Sequence, residues 1–167
     1  DALFTATSAT CVTGLIVRDT WTQFSYFGQA VILVLIQVGG LGLVTLTSFF
    51  ALAMRRRMGF RDLRLMGESV SADGYAQAKE VLKTVVGLAA LFEGIGILLL
   101  LFAFVPQFGL EGIWVSVFTA ISAFCNAGFD LFGRFGQYSS LVPYVSNYYV
   151  QAVVMFMIIA GGLGFMV

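Results

Sequence analysis

The chain has 167 residues, 59% hydrophobic and 11% charged, with nine basic and nine acidic residues and no histidine. Soluble domains carry about 25% charged residues, so this composition belongs to an integral membrane protein rather than a soluble domain. Without histidine, Cys–His catalysis and most zinc sites are excluded, and no nucleophile–base pair or metal cluster marks a membrane-embedded enzyme.

Residues 2–13 read as a short helix. Twelve residues cover about 18 Å, well below the roughly 30 Å of a bilayer core. The segment ends at Gly14 and passes into a polar connector, 15–29, holding Arg18, Asp19, Trp21 and Tyr26. Trp and Tyr at such a boundary suit the headgroup region. Ala30–Met54 then runs without a charge and is long enough to span. It contains Gly39-Gly40-Leu41-Gly42. Three glycines so close weaken a helix but let another backbone come near. Close packing is the leading role for Gly39, Gly40 and Gly42, with a hinge or pore-wall role as the alternative.

Residues 55–83 form a connector holding Arg55, Arg56, Arg57, Arg61, Arg64, Lys79 and Lys83, seven of the nine basic residues. By the positive-inside rule it is cytoplasmic, serving topology and lipid headgroups. It abuts a span directly, so nucleic acid is a poor partner for it. Within it, Ser71-Ala72-Asp73-Gly74 reads as a turn or helix boundary. Thr84–Val105 is a second span, interrupted by Glu93 with Gly94 and Gly96 beside it. An intramembrane carboxylate is expensive and functional by default. Behind a short helix, however, Glu93 reads more readily as a structural hydrogen-bonding group than as an ion contact. Pro106-Gln107-Phe108-Gly109 reads as a turn, and Ile113–Phe124 as a second short apolar helix. A loop at 129–147 carries Asp130 and Arg134, and Tyr148–Val167 is a third span containing Gly161-Gly162-Leu163-Gly164, again a packing motif. The chain opens on Asp1 without an initiator methionine and closes inside an apolar run, as an excerpt of a longer protein would.

Two of these segments are copies. At a constant offset of 114, seven of the eleven positions 4–14 are identical in 118–128: Phe4/Phe118, Thr5/Thr119, Ala6/Ala120, Ser8/Ser122, Ala9/Ala123, Cys11/Cys125 and Gly14/Gly128. Each copy runs short helix, glycine turn, polar loop, then a span with Gly-Gly-Leu-Gly. The implied architecture is all-α, built of span–re-entrant loop–span units. The first unit is 1–54 without its leading span, the connector is 55–83, and the second unit is 84–167. With the connector inside, both glycine turns face the outer half of the membrane. Non-helical backbone at that depth is tolerated only inside protein or along a watery cavity. Carbonyl groups there can replace the hydration shell of a cation, glycine permits the required φ, and the helix presents its negative end to the pore. Neither 4–14 nor 118–128 holds a charged side chain. Asp19 and Asp130 follow the two glycines, either as solvated loop carboxylates with local capping or as a negative outer mouth that concentrates cations. Cys11 and Cys125 read as small buried residues rather than a disulfide pair.

Five stretches make the reading specific. Ala9-Thr10-Cys11-Val12-Thr13-Gly14-Leu15, Gln37-Val38-Gly39-Gly40-Leu41-Gly42, Glu93-Gly94-Ile95-Gly96, Ile121–Phe129 and Ile158–Gly164 together resemble the membrane subunit of the Trk/Ktr/HKT superfamily of potassium transporters, closest to the bacterial Ktr type. The resemblance implies four span–loop–span units around one pore, of which this chain supplies two filter loops and lacks the third and fourth units. It places the filter glycines at Gly14 and Gly128 and the carbonyl-bearing neighbours at Val12, Thr13, Asn126 and Ala127. Glycine in the first loop goes with potassium preference in that family, and serine with sodium transport in some plant members. It further implies a homodimer in the cell membrane, one pore per protomer, bound to a cytoplasmic nucleotide-binding regulatory ring. The basic connector would then also help to dock that ring. The chain itself calls for no cofactor, potassium being the substrate. Gated passive potassium uptake is the expected function. A sodium-selective or sodium-coupled transporter of the same architecture, and a non-conducting scaffold packed through Gly-Gly-Leu-Gly, are the alternatives.

Overall fold

A computed structural model describes the backbone of residues 1–55 and 70–163 and the side chains of 1–42 and 83–163. Most of the basic connector (56–69) and Gly164 lie outside these described residues. Among them the chain is helical without strands: α1 (Ala2–Thr10), α2 (Thr20–Gln23), α3 (Tyr26–Arg55), α4 (Val70–Phe108), α5 (Glu111–Phe124) and α6 (Tyr148–Leu163). Two 3-10 turns, Phe132–Arg134 and Val142–Tyr144, punctuate the last loop.

The elements follow the apolar pattern of the sequence, and several boundaries move. Helix α3 begins at Tyr26, four residues before the expected span, because the Ser25 hydroxyl accepts from Gly28 N (3.3 Å) and its carbonyl accepts from Gln29 N (2.9 Å). Ser71–Gly74 lies in the opening turns of α4, which is the boundary alternative rather than a separate turn. The expected turn at Pro106–Gly109 is instead helix as far as Phe108. A proline this close to a helix end removes a single intrahelical bond, so the helix survives it. The reversal falls on Gly109 (φ +61) and Leu110. A Cβ on Gly112 would lie 2.5 Å from Phe104 O, so the small residue lets α5 fold back tightly on α4.

Helix α4 shows why the core sits where it does. Ala89, Glu93, Gly96, Leu100 and Phe104 recur every three or four residues and are buried. Leu91, Ile95, Leu98 and Phe102 form the opposite stripe and are exposed, Phe102 to 77%. An apolar stripe of that kind suits lipid tails or another apolar helix. Among the described residues, Lys83–Phe108 is the one stretch long and apolar enough to cross a membrane by itself. Tyr26–Gly42, Glu111–Phe124 and Tyr148–Leu163 are shorter apolar helices.

Helix α5 packs against α4 and α6, and α1 packs against α3. Phe118 and Phe124 of α5, Leu100 and Phe104 of α4, Ile32 and Ile36 of α3, and Val150 and Met157 of α6 form one core with Phe129, Leu131 and Phe132 of the last loop. Phe104, Phe132 and Tyr144 meet with ring centroids 5.3–5.5 Å apart, anchoring that loop over the end of α4.

Candidate functional site

The two glycine turns are built alike. Helix α1 stops at Thr10; Val12 N then donates to Ala9 O (3.3 Å) and Thr13 N to Ser8 O (3.0 Å). Helix α5 stops at Phe124; Asn126 N donates to Ala123 O (3.1 Å) and Ala127 N to Ser122 O (2.8 Å). This pair of bonds is the Schellman closure, with a left-handed residue at its centre. That residue is Val12 (φ +55) in one turn and Asn126 (φ +57) in the other. The glycines come two positions later, again left-handed, at φ +72 and +73. Gly14 and Gly128 are therefore not the helix caps themselves. They are second left-handed positions beyond caps made by valine and asparagine.

The hydrogen bonds fix where the carbonyls point. In a planar trans peptide the N–H and the preceding C=O are antiparallel. The amides of Val12 and Thr13 turn back to the helix, so the carbonyls of Cys11 and Val12 aim away from it. The same holds for Cys125 and Asn126 in the second turn. The glycines bring the turns together. A Cβ on Gly14 would lie 2.8 Å from Ala127 O and 3.5 Å from Gly128 Cα, and one on Gly128 would lie 3.4 Å from Gly14 Cα. Oxygen-bearing backbone from both copies thus meets with no side chain between.

The Gly-Gly-Leu-Gly motifs hold the helix ends. A Cβ on Gly39 would collide with the carbonyl of Thr10, and one on Gly161 with the carbonyl of Phe124. Thr10 and Phe124 are equivalent at offset 114 and are the last helical residues before each turn. Gly40 touches the second turn, where an added Cβ would lie 2.6 Å from Cys125 Sγ. Gly162 has Asn126 Nδ2 at 3.7 Å from the same construction, and Gly42 has nothing within 4 Å. Cys125 is thereby half-buried, whereas Cys11 is exposed, against the expectation that both are buried. Among the described residues no glycine motif covers Cys11 as Gly40 covers Cys125.

Both carboxylates make the expected local caps, but Asp19 is buried rather than solvated. Asp19 is 3% exposed. Its Oδ1 accepts from Trp21 N (3.1 Å), Thr22 N (2.9 Å) and Thr22 Oγ1 (3.0 Å), capping α2, and its Oδ2 accepts from Tyr138 N (3.0 Å). Asp130 lines a cavity of about 200 Å³ with Thr119, Asn126, Gly128 and Ser140. Burial pushes its carboxyl above the ordinary range, partly opposed by the Phe132 N–H and reinforced by the nearby Asp19 charge. Glu93 is buried and accepts from Gln37 Nε2 (2.8 Å), which joins α4 to α3 rather than to a short helix.

The sequence assigns no role to Gln37 or Gln29, and it gives no sign of the conformation of Val12, which the resemblance places in the first turn. Val12 carries no signal of a left-handed conformation, because a β-branched residue disfavours it. Gln37 and Gln29 are single amides in apolar helices. Gln29 is 2% exposed, accepts from Trp114 Nε1 (2.8 Å) and donates to the Thr20 and Phe24 carbonyls. Only the partner, distant in sequence, reveals its role as a link from α5 to the first connector.

Comparison with known proteins adds an independent line. The family described as "TrkH: Cation transport protein" matches residues 1–167. The chain is 41% identical over 168 residues to "Ktr system potassium uptake protein B" of Bacillus subtilis, covering 100% of this chain and 37% of that protein. It is 39% identical to "Potassium/sodium uptake protein NtpJ" of Enterococcus hirae, and 37% identical to "Ktr system potassium uptake protein B" of Vibrio alginolyticus. Each of these two matches covers 100% of this chain and 36% of the relative, so the chain spans little more than a third of their length.

Proposed function

The chain belongs to the TrkH family of cation transport proteins, and from that premise we propose that it forms half of a potassium pathway across the cell membrane. The short helices α1 and α5 act as re-entrant pore helices, and the turns at Val12–Gly14 and Asn126–Gly128 supply part of a selectivity filter. The observation that carries this reading is the paired geometry. Two turns of like hydrogen bonding and like φ aim carbonyls off their helix ends and meet at their glycines. Backbone carbonyls so arranged can stand in for water around a monovalent cation. In this reading the two filter turns face the outside and the basic connector faces the cytoplasm.

Residues 1–54 and 84–167 serve in this reading as two units of a four-unit pore, the rest coming from the remainder of the longer protein. The assembled subunit is a homodimer working with a cytoplasmic nucleotide-binding regulatory ring, in keeping with relatives described as parts of a Ktr system. Permeation is passive and gated. A second reading, transport of sodium as well as potassium, is favoured by the name of the Enterococcus hirae relative.

Gly14→Ser in the full-length protein tests the reading. The new side chain would stand at a left-handed position 2.8 Å from Ala127 O, so it must reshape both turns. The expected outcome is a clear fall in potassium-over-sodium uptake by potassium-uptake-deficient cells at equal membrane abundance. An unchanged ratio would refute the filter assignment. Difference maps in potassium against rubidium should show cation density beside Gly14 and Gly128.

A further inference from the structure

Asp19 accepts backbone hydrogen bonds from the loops that follow both glycine turns. It lies five residues after Gly14, is 3% exposed, and caps α2 through Oδ1. Its other oxygen takes the backbone N–H of Tyr138, 119 residues away, in the loop that follows Gly128. Tyr138 is held at φ +61, and its hydroxyl donates to Val17 O (3.0 Å), so one residue grips the first connector at two points. A left-handed tyrosine is costly and persists only where its surroundings impose it. Gly133 lies directly under the carboxylate, where a Cβ would collide with both oxygens. Among the described residues the ion pairs are Arg18–Asp1 and Arg134–Glu111, each at 3.0 Å, and Asp19 is in neither. The donors to it named here are N–H and O–H groups fixed by the two loops. A buried carboxylate of that kind specifies geometry strongly, since any displacement leaves its oxygens unpaired.

We infer that Asp19 is a positioning residue that staples the two outer loops together through Tyr138 and so sets the spacing of the Gly14 and Gly128 turns. The staple closes a frame whose other contact is the glycine pair itself: loop to loop at Asp19–Tyr138, turn to turn at Gly14–Gly128. The consequence for ion selection rests on the filter reading above; the positional consequence does not.

The test uses the full-length protein with Asp19→Asn and, separately, Gly133→Ala. The asparagine oxygen still accepts from Trp21 and Thr22, but its NH2 group faces the Tyr138 N–H, so the α2 cap survives and the staple is lost. Gly133→Ala displaces the carboxylate without changing charge. Amide exchange at 138 is expected to quicken roughly tenfold, the scale of one lost charge-assisted hydrogen bond, with faster exchange at 12–14 and 126–128 as well. The potassium/sodium uptake ratio should fall several-fold at unchanged membrane abundance. Faster exchange at 138 alone, or wild-type exchange throughout, overturns the proposal. If the turns respond while the wild-type protein takes up no potassium, the positioning role stands and the pore reading falls.

Discussion

Val12 holds a left-handed backbone (φ +55) with a β-branched side chain, while its equivalent in the second turn is Asn126 at φ +57. Asparagine tolerates this region because its short polar side chain bonds locally, and Asn126 Nδ2 does donate to Phe124 O (3.4 Å). Valine has no such compensation, and residues so held cost about 1–3 kcal/mol. Val12→Asn is therefore expected to stabilise the protein by about 1 kcal/mol, read as a higher melting temperature of the purified full-length protein. A lower melting temperature would mean that packing of the valine outweighs its strain. The strain matters because the same conformation directs the Val12 carbonyl away from α1.

Among the elements, the closing helices α3 and α6 are positioned by particular glycines of their motifs, Gly39 and Gly40 in α3 and Gly161 in α6. Gly39 and Gly161 each press on the last carbonyl of a short helix, whereas Gly42 faces open space. Overpacking of this kind costs typically about 1–3 kcal/mol. Gly39→Ala and Gly161→Ala should each lower stability by at least that range. Gly42→Ala should be neutral or gain up to about 1 kcal/mol from helix propensity. Thermal melting of the three variants checks the ranking, and equal effects would show that the motif acts as a whole. Glu93 belongs to this scale too. Its bond with Gln37 ties α3 to α4.

Across the whole molecule, one group of contacts between the N- and C-terminal halves of the chain is polar and partly exposed. Arg134 pairs with Glu111 (3.0 Å) and lies 5.0 Å from the Trp21 ring centroid and 4.3 Å from that of Phe108. Tyr26 Oη donates to Glu111 (3.4 Å) across 85 residues. The group is partly exposed, where cation–π contacts contribute about 0.5–1 kcal/mol each and ion pairs little. Arg134→Gln is expected to cost about 1–2 kcal/mol in thermal melting while leaving the turns themselves intact. A loss confined to the salt-sensitive part of stability would assign the effect to the ion pair alone.

Composition and spacing alone determined the membrane setting, the helical class, the two short helices, the glycine turns and the pairing of residues 4–14 with 118–128. These are local properties: apolar run length, glycine position and identity at a constant offset are written along the chain. The element ends shifted by a few residues, as at Pro106, because a terminal proline removes only one helix bond. Which residue of each turn is left-handed, which glycine of each motif touches a helix end, and what Asp19 and Glu93 bond to were decided by tertiary structure. Tyr138 meets Asp19 across 119 residues and Gln37 meets Glu93 across 56. No local period encodes such partners, since they exist only once packing has brought distant parts of the chain together.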